Sequence, residues 1–180
     1  YALAALTSGA GNLAVGYQAG DAITTGSANI AIGDSALGVN IEGSQNVAIG
    51  HQSLITFAAD AADHGENTAV GFRSGRYVLT GTNNTFVGNE SGLGSSGTPL
   101  TGNANTAIGH SAGATLQGAA NANAFLGSTA GASVTTGENN TIIGGSAGDA
   151  LVDGTMNTII GSGADASATG ATNQTLVGFD

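Results

Sequence analysis

Short apolar words alternate along this chain with glycine and small polar residues, and the words recur at a nearly fixed interval. Each word ends in an aliphatic residue, namely Val15, Ile32, Ile49, Val70, Val87, Ile108, Leu126, Ile143, Ile160 or Val177, and glycine follows it every time. The steps between those glycines are 17, 17, 21, 17, 21, 18, 17, 17 and 17, which defines a 17-residue unit with two four-residue insertions and one single-residue insertion. Two positions before the aliphatic residue stand Leu13, Ile30, Val47, Thr68, Thr85, Thr106, Ala124, Thr141, Thr158 and Thr175, most of them β-branched. A period of two in such residues predicts a short strand with both positions on one face. A column that accepts Leu, Ile and Val is expected to be interior. The position between them, Ala in five of ten units and Phe86, Phe125, Ile142, Ile159 or Leu176 in the others, is expected to face outward against a covering neighbour.

A second landmark is the glycine of "ITTGSAN", "VLTGTNN", "PLTGNAN" and "VTTGENN", three residues before an asparagine. It is expected to supply the positive φ of a sharp corner. A unit of strand, corner, second short strand and corner cannot bury its own core, but stacked copies can. The expected fold is all-β, a parallel β-solenoid of about ten 17-residue coils, on the order of 50 Å long. Asn12, Asn29, Asn46, Asn67, Asn84, Asn105, Asn123, Asn140 and Asn157 recur once per coil, so their amides are expected to stack as a structural ladder. Residues 1–180 read as one domain interrupted near 55–66 and 93–104. The chain starts and stops in nearly the same phase, as a fragment of a longer fibrous array would.

Composition narrows the function classes. Charge is −10, and the cations are Arg73 and Arg76 alone, so nucleic acid is a poor partner. Without cysteine, disulfides and thiolate metal sites are excluded. No apolar run is long enough to span a bilayer and no signal peptide is recognisable, so any anchor or export signal is expected outside this stretch, with no membrane contact from it.

Nothing in the sequence points to an enzyme or a cofactor. A G-x-S-x-G elbow, a Walker loop and H-E-x-x-H are all absent. His51 and His110 share a repeat phase but stand three coils apart, about 14 Å at one strand spacing per coil, too far to hold one ion within a chain. The acids recur at no single phase, which argues against a calcium-binding roll, so no metal site is expected. An ice-binding face built on Thr68, Thr85, Thr106, Thr141, Thr158 and Thr175 is the subtler alternative. Its weakness is that Leu13, Ile30 and Val47 continue the same column. Candidate ligand-binding residues cluster where the repeat breaks, in "TFAADAADHGEN" and "FRSGRYVLTG": Phe57, Asp60, Asp63, His64, Glu66, Arg73, Arg76 and Tyr77.

The words "NLAVGYQAG", "NIAIGDSAL", "NVAIGHQSL", "NTAIGHSAG" and "NNTIIGGSAG" resemble the head repeats of trimeric autotransporter adhesins, and closely similar words occur in bacteriophage tail fibres. The resemblance spans the whole chain, although the 17-residue unit is longer than the adhesin one. It implies a left-handed parallel β-roll, assembled as a homotrimer, in a non-enzymatic cell-surface adhesin head that attaches to a host cell-surface or matrix protein or a glycan receptor. The location implied is extracellular, on the bacterial cell surface or, for a tail fibre, on the virion.

Overall fold

The computed structural model describes residues 1–59, 65–166 and 168–179. It contains ten three-residue strands: β1 Leu13–Val15, β2 Ile30–Ile32, β3 Val47–Ile49, β4 Thr68–Val70, β5 Thr85–Val87, β6 Thr106–Ile108, β7 Ala124–Leu126, β8 Thr141–Ile143, β9 Thr158–Ile160 and β10 Thr175–Val177. They form one parallel sheet in sequence order, each strand pairing with the next in the register of the repeat. Val15 lies beside Ile32, Val70 beside Val87, and Ile143 beside Ile160. The chain is an all-β parallel solenoid, and each of its nine turns advances by one strand. A second, thinner wall is marked by isolated parallel bridges from Val78 to Leu100 and from Leu100 to Gly118.

The strands face the opposite way from the sequence expectation. The middle residue is the buried one: Ala31, Ala48, Ala69, Phe86, Ala107, Phe125, Ile142 and Ile159 are excluded from solvent, while Val15 is 53 % and Leu126 49 % exposed. The coil is narrow, and opposite the sheet the interior already holds Ile23, Phe57, Val78, Leu100, Leu116, Val134 and Leu151. Only one residue per strand can point into that space, and it is the central one.

Core bulk is shared between strand and corner. Where the strand centre is Ala31 or Ala48, the residue four past the repeat glycine is Leu37 or Leu54, both fully buried. Where the centre is Phe86 or Phe125, that corner is Gly92 or Gly131. A Cβ on Gly92 would lie 2.4 Å from the Phe86 ring. In these coils large and small residues alternate across the interior; where both are small, as at Ala69–Gly75 and Ala107–Gly113, Phe86 or Phe125 of the next coil fills the space, as close packing requires.

The corner glycines also differ from expectation. The glycines three before the asparagines, such as Gly26, Gly81 and Gly137, do not carry positive φ; they are small because a Cβ would lie 2.3–2.4 Å from the next coil's carbonyl oxygen. The left-handed residues there are their neighbours before the asparagine, including Ala28, Asn83, Ala104 and Asn139. The glycine that closes each strand from β1 to β9 does need its freedom: φ runs from 130° at Gly33 to 139° at Gly127.

Asparagine side chains run the length of the rod. Asn29 Nδ2 donates to Asn12 Oδ1 at 3.1 Å, Asn46 to Asn29 at 3.0 Å, Asn84 to Asn67 at 3.1 Å, Asn105 to Asn84 at 3.0 Å, and Asn157 to Asn140 at 3.0 Å. The Asn67 and Asn123 amides fill the intervening rungs at 3.3 and 3.0 Å. The same Oδ1 also accepts the backbone N–H of the next asparagine, as Asn123 Oδ1 does from Asn140 at 3.0 Å. Each Nδ2 has a second acceptor on the backbone, such as Gly137 O for Asn123 at 2.8 Å. The buried amides are thereby satisfied, which is the condition for keeping polar groups in a core.

Candidate functional site

Two surfaces stand out once the coil is built. The first is the outer side of the sheet. Flanking residues of every strand point outward, so Val15, Ile32, Ile49, Val70, Val87, Ile108, Leu126, Ile143, Ile160 and Val177 line up as one aliphatic column, all partly or largely exposed. A parallel column holds Leu13, Ile30 and Val47, then Thr68, Thr85 and Thr106, and, beyond Ala124, Thr141, Thr158 and Thr175. The in-register sheet keeps both columns continuous, at about 4.8 Å per step. A continuous apolar stripe of this kind is the surface feature that marks an association face.

The second surface is the corner after β4. Ser74 N–H donates to Gly71 O at 3.3 Å and Arg76 N–H to Arg73 O at 3.3 Å, so two successive tight turns carry Phe72, Arg73, Arg76 and Tyr77 around the coil. Arg73 sits at φ 53°. It shares its phase with Gln52 on the preceding coil and Glu90 on the following one, and the column is tied by N–H bonds from Arg73 to His51 O and from Glu90 to Phe72 O, both 2.9 Å. Phe72 stacks on His51 with ring centroids 5.4 Å apart and an interplanar angle of 11°. The Arg73 guanidinium lies 4.7 Å from the Phe72 centroid, and that of Arg76 lies 4.9 Å from Tyr77. Arg73 Nη1 also approaches Glu90 Oε1 at 3.7 Å, a half-exposed pair that contributes little to stability.

The sequence-chosen residues are therefore divided. Arg73, Arg76 and Tyr77 come together on this corner. Phe57 does not join them: it is fully buried in the second wall, so it cannot touch a ligand. Its place in the repeat gives the reason, because it stands seven past Gly50 as Ile23 stands past Gly16 and Val78 past Gly71, all inward. Glu66 is exposed at φ 59° on the edge before β4. Asp60, Asp63 and His64 lie outside the described residues. Sequence reasoning weighs His51 only as a metal ligand and does not single out Gln52 or Phe72, although the shared phase of successive corners places all three beside Arg73.

Among the described residues, no three of His, Asp and Glu gather closely enough to hold a metal ion. No helix there is long and apolar enough to cross a membrane. Comparison with family models, with curated proteins and with solved structures finds no match to this chain.

Proposed function

We propose that this chain is a non-enzymatic segment of an extracellular fibre, the head of a bacterial cell-surface adhesin, which works as a homotrimer and displays a rigid surface to a host receptor. The observation that carries the reading is the outward aliphatic column from Val15 to Val177, which a single chain leaves wet. Three chains packed sheet to sheet around an axis bury it and leave the corners and second walls outside. Weak receptor contacts then add through effective concentration, with no deep pocket needed. The same display would serve a bacteriophage tail fibre, and the reading frame on either side of this stretch separates the two owners.

Solution mass is the test. Light scattering is expected to give three times the chain mass of 17.1 kDa, and the pair Val70→Asp and Val87→Asp is expected to give monomers that keep their β-sheet circular dichroism. A folded wild-type monomer across the accessible concentration range would sink the assembly.

A second reading rests on the Thr column. The objection to ice binding was that Leu, Ile and Val belong inside, and that objection fails because the whole column is outward. Thr141, Thr158 and Thr175 present methyl and hydroxyl groups at a regular interval of about 4.8 Å on the same face that the trimer would cover. The readings therefore compete: a trimer that buries the face has no thermal hysteresis, and a monomer that shows it overturns the fibre assembly.

A further inference from the structure

We propose that the Arg73–Arg76 corner is a subsite for an acidic sugar, one residue of a carboxylated or sulfated polysaccharide. The inference deepens the display reading and rests on it for the source of the ligand, but not for the recognition chemistry.

The chain has 12 acidic residues and two cations, and both cations fall in one hydrogen-bonded turn. Ends of such a turn lie within about 7 Å of each other, a span that one sugar ring with its substituents covers. Each guanidinium rests against an aromatic ring, at 4.7 and 4.9 Å, which keeps both cations at this corner. Only Arg73 has an ion pair among the described residues, and it is long at 3.7 Å.

Three side-chain atoms here are buried with no hydrogen-bond partner: Nε of Arg73, Nε of Arg76 and Oε1 of Gln52. Two are donors and one is an acceptor. Unpaired polar atoms of this kind call for a ligand or bound water. A carboxylate or sulfate taken side-on by a guanidinium uses Nε and Nη together, after rotation about the outer torsions of the arginine. Gln52 Oε1 accepts a sugar hydroxyl after a like rotation of its side chain, and the exposed edge of the His51–Phe72 stack offers apolar contact to the ring C–H groups. Oxyanion, hydroxyl and C–H surface in one place are the recognition elements of a sugar acid. The acidic remainder of the surface repels anions elsewhere, which confines them to this corner.

The experiment measures retention of the whole chain on immobilised polygalacturonate, dextran sulfate and neutral dextran, with solution mass recorded for every variant. Binding to one or both acidic polymers, none to dextran, and release by added salt are expected; the two acidic arms tell carboxylate from sulfate. The double variant R73Q/R76Q is expected to lose at least about tenfold in affinity with unchanged mass and melting temperature, and R73K/R76K to recover only part, because lysine keeps charge without the fork. Absence of binding to either acidic polymer overturns the subsite, and so does binding that survives R73Q/R76Q. A chain that is monomeric yet binds through the arginines overturns the trimer and leaves the subsite standing.

Discussion

The early coils and the later ones fill the same cross-section by opposite means. In β2 and β3 the strand contributes Ala31 and Ala48 to the core, and the corner contributes Leu37 and Leu54. In β5, β7 and β8 the strand contributes Phe86, Phe125 and Ile142, and the corner contributes Gly92, Gly131 and Gly148. The outer face changes in parallel, from Ile30 and Val47 to Thr85 and Thr141. What the rod conserves is the backbone path, while volume is balanced between neighbouring coils: where centre and corner are both small, at Ala69–Gly75 and Ala107–Gly113, the ring of Phe86 or Phe125 on the next coil fills the space.

The largest expected effect falls where the two regions do not differ. Gly33 in the early region and Gly109 in the later one sit at φ 130° and 135°, and a Cβ on either would lie 2.6 or 2.3 Å from the backbone of the next coil. Backbone cannot move aside without breaking the ladder. Gly33→Ala and Gly109→Ala are each expected to destabilise by about 3 kcal/mol or more, measured by denaturant unfolding. A mild effect at either glycine would mean that the regions follow different backbone paths.

The next effect tests the exchange itself. Gly92→Leu drives a side chain into the Phe86 ring, since even a Cβ would be 2.4 Å from it, and is expected to cost about 2–3 kcal/mol. Phe86→Ala alone leaves a cavity and is expected to cost about 3–5 kcal/mol. Together they rebuild the Ala31–Leu37 arrangement, and Leu37 already tolerates φ 52° where Gly92 has 55°. The double variant should be more stable than the sum of the singles by about 2 kcal/mol. Strict additivity would show that strand and corner are not trading volume.

The asparagine ladder supplies a matched pair of smaller size. Asn29 accepts two bonds from Asn46, from N and Nδ2, both at 3.0 Å. Asn140 accepts the same two from Asn157 at 3.1 and 3.0 Å. Asn29→Ala and Asn140→Ala each strand buried donors, so each is expected to cost about 2 kcal/mol, equal within experimental error. A clear difference in thermal or chemical melts would show that the ladder bears more of the stability in one region.

Much of this was legible in the sequence, and the failures share one cause. Strand positions, parallel stacking and the asparagine phase follow from a repeat in which Asn, aliphatic residue and glycine keep fixed places. Sidedness is the first failure: apolar residues occupy both faces, and a column that accepts Leu, Ile and Val is expected inside. A 17-residue coil is too narrow for that rule. Phe86 and Phe125 carried the contrary signal, since the bulkiest side chains stand at the centre position. Phe57 was misassigned similarly, by its nearness to the insertion and not by its phase. Arg73, Arg76 and Tyr77 could be picked out by chemistry alone, but Gln52 and His51 join them only through the coil-to-coil register, which no local pattern reveals.

The smallest effect contrasts two acids at one phase. Asp21 and Asp149 each stand five past a repeat glycine, but Gly38 follows Asp21 on the next coil, whereas Asp165 approaches Asp149. Asp165 is held there by N–H bonds from Ala150 at 2.7 Å and Ala166 at 2.8 Å. Burial of the Asp149 carboxyl, and then the charge of Asp165, raise its pKa above the ordinary 3.8. The folded chain thus binds that proton more tightly than the unfolded chain does, so ionisation of Asp149 destabilises the fold. The penalty is absent below the ordinary value, grows as pH rises through the folded pKa, and is complete at neutral pH. Because the side chain is largely exposed, screening holds it to a few tenths of a kcal/mol, about one degree in melting temperature. Asp149→Asn is expected to raise the melting temperature by that amount at pH 7 and to leave it unchanged near pH 3, with Asp21→Asn as the matched control lacking a facing acid. A gain from Asp149→Asn that persists at pH 3 would trace to amide hydrogen bonding and not to charge.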